Sequence, residues 1–418
     1  LFYSLSYITK YTAESNYFAL FCLIIAGMNG VVLSGDLFNL FVFLEVSVIS
    51  SYALVAFGVG KTELEASFKY QVLGGLASML ILLAIGLIYW KTKTLNIADV
   101  RNVLDAGYSK PFYLFVQVLL IAGFGLKAAI IPFHAWLPDA YPAAPAPISA
   151  MLSGVVGKSI GVYALFRIFF NVLGLGEIKP ILDILIILGI ISMVAGALAA
   201  LGQKDFKRLL AYSSISQIGY VVMAFGMGML ILIQGENYSV AVLAIAGGIY
   251  HMVNHAVFKG LLFLNAGALE HRLDTRDLKR MGGLSSVMPV TSSTSFMASM
   301  SISGIPPFNG FFSKLIIIIA AINGKFYLLA TLAVVVSIIT LAYFLKFQRF
   351  AFFNKPPGKS LEKIREVPFP MSFSMIVLAI LCLALSLLAF PSINEAVLSP
   401  AVQVLMQSDL YSTTILGL

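Results

Sequence analysis

One glutamate and four lysines stand inside otherwise apolar stretches: Glu45 in NLFVFLEVSVISSY, Lys127 in LLIAGFGLKAAIIP, Lys158 in MLSGVVGKSIGVYALF, Lys259 in HMVNHAVFKGLLFL and Lys314 in PPFNGFFSKLIIII. A charge at mid-bilayer costs on the order of 3 kcal/mol or more, so such residues face a bundle interior and pair, or line a wet path. His251, His255 and Lys259 recur every four residues, which places them on one helix face. Imidazole both gives and takes a proton near neutral pH, so this stripe suits a proton relay. It does not suit zinc, because the metalloprotease pattern needs Glu after the first His and Met252 stands there. There is no GxGxxG loop after a strand and no cysteine quartet for a cluster. The chemistry on offer is proton movement, with no metal or cofactor expected and redox energy, if used, arriving from partners.

The apolar stretches set where these groups sit. The 418 residues are 60% hydrophobic and 11% charged, against roughly a quarter charged in a soluble domain, so the solvent of this chain is mostly lipid. Stretches of about 20 apolar residues, enough to cross a core of about 30 Å, fall at 16–34, 37–58, 67–90, 112–131, 147–171, 181–201, 209–233, 239–268, 287–322, 326–348 and 370–390. Eleven crossings joined by short connections predict a single all-α polytopic bundle over 1–418, since lipid tolerates only helices and closed barrels, and barrel strands would alternate in polarity. Cys22 and Cys382 lie in apolar runs and act as small hydrophobes. The net charge of +8 fits loops facing anionic headgroups rather than nucleic acid.

Basic residues are shared unequally between the two faces. The side holding the segment before residue 16 collects Lys10, Lys61, Lys69, the three of 204–208, the four of 272–280 and the six of 346–365; the other side has seven. The positive-inside tendency makes the Leu1 side cytoplasmic and places the tail after residue 390 outside, in an inner (plasma) membrane. Lys69, Arg167 and Lys346 lie near span ends, where a long side chain can snorkel to the headgroups. Two spans are interrupted by proline, KAAIIPFHAWLPDAYPAAPAP at 127–147 and SISGIPPFNGFFSK at 301–314, which frees carbonyls inside the membrane. Lys127 precedes the first break and Lys314 follows the second, the mirrored order expected of inverted repeats. His134, beside Pro132, reads either as a relay group or as a histidine satisfied by neighbouring backbone, and the same two readings hold for His251 and His255.

GMNGVVLSGDLFNLFVFLEVSVISSYALV, GFGLKAAIIPFHAWLPDAYPAAPAPISAML, KDFKRLLAYSSISQIGYV, HMVNHAVFKGLLFLNAGAL and SGIPPFNGFFSK resemble the antiporter-like subunits of complex I. GDLFNLFVFLE and GIPPFNGFFSK make the chain most similar to the D subunit of Mrp cation/proton antiporters and its equivalent in membrane-bound hydrogenases and related ferredoxin-driven complexes. The resemblance implies two inverted five-helix repeats with broken helices, here 16–171 and 181–348, then a C-terminal helix at 370–390. It also implies that the family's first three helices are missing from this chain. By the same resemblance Glu45 pairs with Lys127, Lys158 bridges, His251, His255 and Lys259 relay, and Lys314 ends the row. Protons, possibly sodium, are then the cargo, and other membrane subunits the partners. Asp36, Asn39 and carbonyls at the breaks are candidate sodium ligands. A carrier for a small anionic solute and a non-transporting scaffold are the competing readings.

Overall fold

The computed structural model describes every residue except 12, 106, 108, 174–178, 236, 356–363 and 407–418, and of Lys10 and Asp105 it describes the backbone alone. Lys359, Lys363 and the end of the C-terminal tail, used above in assigning the faces, lie outside the described residues. The described residues form helices and no strand beyond two isolated bridges. We number the main helices α1 Glu14–Leu33, α2 Leu37–Val55, α3 Lys61–Thr92, α4 Lys110–Ala128, α5 Leu137–Ala143, α6 Ala146–Leu173, α7 Lys179–Gly202, α8 Phe206–Gln234, α9 Tyr238–Leu273, α10 Pro289–Ser303, α11 Asn309–Asn323, α12 Tyr327–Phe353, α13 Phe369–Ala389 and α14 Pro391–Met406.

Ten of these helices are long and apolar enough to cross a membrane, and they match ten of the expected crossings. The eleventh stretch, 287–322, is divided between α10 and α11, each 15 residues long, because Pro306 and Pro307 cannot continue a helix. The outward-facing side chains are apolar, among them Leu33, Met79 and Leu328, as lipid contact requires. Buried faces combine large apolar groups with Ser, Thr, Asn and Gln, above all on α8, whose residues are almost all enclosed.

Two connections are tied to helix starts in the same manner. Asp36 caps α2, its Oδ1 accepting from the Phe38 and Asn39 amides at 2.9 Å, and it bridges to Asn96 in the connection after α3. Asp205 caps α8 by accepting from the Arg208 amide at 2.9 Å, and it bridges to Asp277 in the connection after α9. Five crossings separate the two starts, so they lie at opposite faces. Lys69, Arg208 and Arg276 gather at the second of these faces: Asp139 of α5 pairs with Lys69 at 3.0 Å and Arg208 at 2.9 Å, and Arg276 reaches Asp205 and the Pro142 carbonyl.

The breaks are satisfied by side chains rather than left open. α4 ends where Ala129 turns into the left-handed region at φ +55°, a conformation that costs a non-glycine residue about 1 kcal/mol. The Trp136 indole donates to the Leu126 carbonyl at 2.8 Å, Ser192 of α7 accepts from the Ile131 amide at 2.9 Å, and Lys207 donates to the Ala144 carbonyl at 3.1 Å. At the second break Lys314 donates to the Ile302 carbonyl at 2.8 Å.

Candidate functional site

Glu45 projects from the middle of α2 and Lys127 from the last turn of α4, with α3 between them in sequence. The Lys127 ammonium lies 3.5 Å from the Glu45 carboxylate, and Ser78 of α3 stands between the two: Lys127 Nζ donates to Ser78 Oγ at 2.8 Å, and Ser78 Oγ donates to Glu45 Oε1. The Lys127 side chain is 1% exposed and that of Glu45 26% exposed. One end of the pair is therefore sealed and the other is open to change.

Lys158 lies in α6, in a segment from Leu152 to Tyr163 wound with i→i+5 hydrogen bonds, a rare form that recurs at functional sites. Two glycines set its place. A Cβ on Gly161 would stand 2.9 Å from the Ala128 backbone, beside Lys127; a Cβ on Gly154 would stand 3.1 Å from the Ala256 carbonyl, beside His255. α6 is thus pressed against α4 on one side of Lys158 and against α9 on the other. The Lys158 amine is buried without a hydrogen-bond partner among the described residues. A crevice of about 230 Å³ between α6 and α9 has Lys158, Ser159, Met252 and Ala256 in its wall.

On α9 the stripe continues. His251 is fully buried, with Nδ1 3.0 Å from Ser313 Oγ and Nε2 3.2 Å from Gln217 Oε1. Neither His255 nitrogen has a partner among the described residues, and its ring centroid lies 6.4 Å from that of His251. Lys259 donates to the Leu210 carbonyl of α8 at 2.7 Å. Lys314, in the first turns of α11, lies 4.9 Å from the Tyr220 ring centroid, close enough for a cation–π contact, in addition to its bond to Ile302. Of the seven residues singled out in the sequence, Lys127, Lys158, His251, His255, Lys259 and Lys314 are buried and Glu45 is half-buried, and the helices that carry them pack in succession, α2 on α3, α3 on α4, α4 on α6, α6 on α9 and α9 on α11.

Comparison with known proteins decides what this row belongs to. The family model for the transmembrane region of NADH:quinone oxidoreductase and Mrp antiporters matches residues 34–340. The chain belongs to that family. Among curated relatives of this antiporter-like chain, the N subunit of NADH-quinone oxidoreductase from Desulforudis audaxviator is 34% identical over 93% of this chain and 76% of its own length. The D subunit of the Na(+)/H(+) antiporter from Alkalihalophilus pseudofirmus is 37% identical over 85% of this chain and 69% of its own length. Among solved structures, the Mrp complex from Dietzia sp. DQ12-45-1b contains a chain that superposes with a TM-score of 0.82 at 28% identity, covering 95% of this chain and 79% of that one. The expected family and all-helical membrane fold hold, and the relatives are subunits of multi-subunit membrane assemblies.

Several expectations for this antiporter-family chain need correction or addition. Asp36 caps α2: its Oδ1 accepts from the Phe38 and Asn39 amides, so one of its two carboxylate oxygens is engaged at the helix start. His134 is half-buried at the first break and meets the Pro132 carbonyl, at 3.3 Å, so the structure does not bring it to the row. Arg167, near a span end, is buried and donates to the Val31 and Val32 carbonyls in the last turn of α1. The row also recruits Ser78, Gln217, Tyr220 and Ser313, none of which stands out by charge. SSISQIGY in the middle of an apolar helix, and Ser313 immediately before Lys314, are the signals the sequence offers for them.

Proposed function

We propose that this chain moves protons, or exchanges protons for sodium, along the row Glu45, Lys127, Lys158, His251, His255, Lys259 and Lys314 as one subunit of a larger membrane complex. The observation that carries the reading is the Glu45–Ser78–Lys127 bridge: a single carboxylate faces an enclosed amine through a hydroxyl that both donates and accepts. At 3.5 Å and an effective dielectric near 20 the ion pair is worth about 5 kcal/mol. Closing it holds a proton on Lys127. Opening it withdraws the carboxylate from Lys127, and the proton passes to Lys158, which has no competing hydrogen bond, and on through His255 and His251 to Lys259 or Lys314.

Division into inverted repeats at 16–171 and 181–348 belongs to the same reading. It is supported by the matching ties Asp36–Asn96 and Asp205–Asp277 at opposite faces, and by the breaks after Lys127 and before Lys314. The excess of Lys and Arg makes the face of Lys69, Arg208 and Arg276 the cytoplasmic one, which puts Leu1 inside, the C-terminal tail outside and the protein in the plasma membrane. The test is ion translocation by the assembled complex in everted vesicles. Glu45→Gln and Lys127→Ala should each abolish it while the subunits still copurify; wild-type translocation by either variant overturns the assignment.

A further inference from the structure

The start of α5 is gripped by two adjacent residues of α3. Lys69 pairs with Asp139 at 3.0 Å, and Tyr70 stacks on Trp136 with ring centroids 4.2 Å apart and planes 10° from parallel. One contact would leave α5 free to roll, whereas two, from consecutive positions about 100° apart around α3, fix its register. Arg208 of α8 takes the other Asp139 oxygen at 2.9 Å. The far end of α5 is held as well: Arg276 donates to the Pro142 carbonyl, and Lys207 donates to the Ala144 carbonyl at 3.1 Å.

What stands at the start of α5 bears on the Glu45–Ser78–Lys127 bridge. The buried Trp136 indole donates to the Leu126 carbonyl at 2.8 Å, immediately before Lys127. In a continuing helix the Ile130 amide would meet that carbonyl; here it bonds Gly125 at 2.9 Å, and the indole stands in its place. The turn of α4 that carries Lys127 is therefore completed by a side chain from beyond the break. Tyr70, stacked on the indole, meets the Tyr52 ring edge-on at 4.6 Å. Tyr52 lies about two turns along α2 from Glu45, and Ser78 about two turns along α3 from Tyr70. Trp136 thus joins the three helices that supply Glu45, Ser78 and Lys127, at a distance from the charges themselves.

We infer that Trp136 and Asp139 are positioning residues for that bridge: Asp139 locks α5 to α3, and Trp136, standing at the start of α5, holds the last turn of α4 so that Lys127 reaches Ser78. The inference rests on the proposed function for the use made of the bridge, not for its geometry. It makes charge at the protein face a setting for a site inside the membrane. The Lys69 and Arg208 side chains are 45% and 42% exposed, so salt at that face screens the lock, while the enclosed Lys127 is screened much less.

A density map of the complete complex carrying Trp136→Phe tests the positioning without relying on transport. Phe keeps a ring to stack on Tyr70 and lacks the N–H. The expected map has Lys127 Nζ beyond hydrogen-bond reach of Ser78 Oγ, at about 4 Å or more. Translocation in everted vesicles should fall about fivefold, as the loss of one internal hydrogen bond implies. A bridge unchanged in that map overturns the inference, whatever the rate. A displaced Lys127 with a wild-type rate upholds it and instead removes the function proposed above. Asp139→Asn, nearly the same in shape and partly exposed, decides the matter if Trp136→Phe fails to assemble. In a complex whose translocation Lys127→Ala abolishes, Asp139→Asn should lower the rate about threefold, and Asp139→Glu should restore most of it. Choline chloride raised from about 10 mM to about 1 M at the Asp139 face shortens the screening length from about 30 Å to about 3 Å. It should slow the wild type more than Asp139→Asn. A wild-type rate for Asp139→Asn, or an equal response of the two to salt, overturns the inference.

Discussion

Ser78→Ala removes the hydroxyl between Glu45 and Lys127 and leaves both charges in place. The Lys127 ammonium loses a 2.8 Å hydrogen bond inside a sealed site, and Glu45, whose side chain is 26% exposed, loses the bond from Ser78. A hydrogen bond to a charged group contributes about 1.5–3 kcal/mol, so the closed pair weakens by roughly tenfold to a hundredfold relative to the open one. The direct attraction, about 5 kcal/mol, remains. Ser78→Ala should therefore slow translocation by about tenfold or more without abolishing it, Ser78→Thr should restore most of the rate, and Lys127→Ala should leave none. Initial rates of acidification in everted vesicles, normalised to assembled complex, measure all three. A wild-type rate for Ser78→Ala would show that the hydroxyl bridges nothing of consequence. A rate as low as that of Lys127→Ala would show that the direct pair contributes nothing on its own.

Two further substitutions separate stability from transport. Lys158→Met exchanges a buried, unpartnered amine for an apolar side chain of similar length, and such replacements are commonly neutral or stabilising; the complex should melt at the same temperature or higher yet translocate nothing, and disassembly on substitution would contradict the assignment. Gly161→Leu drives a side chain into the Ala128 backbone, where even a Cβ stands at 2.9 Å; overpacking of this kind costs about 1–3 kcal/mol. A melting temperature lowered by several degrees, together with slowed translocation, is expected, and an unchanged melt would mean α6 and α4 are not pressed together there.

Charge in an apolar chain is costly enough to be conspicuous, which is why Glu45, Lys127, Lys158, Lys259 and Lys314 stand out from composition alone. Their neutral companions do not. Ser78 is one of two serines in a 32-residue helix, and only the convergence of α2, α3 and α4 gives it a carboxylate on one side and an ammonium on the other. Proline marks both breaks, but how the freed groups are met depends on distant partners: Ser192 for Ile131, Lys207 for Ala144. Lys207 is legible only as one of three basic residues in a connection, yet it is 2% exposed and pairs with Glu270 at 2.7 Å. Arg167 is legible only as a lone charge near a span end, and the fold adds that α1 presents its carboxyl-end carbonyls to it.

Partners along the row are unevenly distributed, and that unevenness has a direction. Lys127 faces a carboxylate, Lys259 and Lys314 each face one backbone carbonyl, and Lys158 and His255 have no hydrogen-bond partner among the described residues. A carbonyl accepts from a neutral amine as well as from an ammonium, so it fixes position while favouring charge far less than a carboxylate does. Glu45 selects charge. Two like charges about 10 Å apart at an effective dielectric near 20 repel by about 1.7 kcal/mol, more than a tenfold change in occupancy, so a proton at one site weakens the next. On the proposed function, with one acid among the seven groups, the Glu45–Ser78–Lys127 bridge would be the point that sets where a proton rests, and each proton placed along the groups would bias the next through this repulsion without any side chain travelling between them.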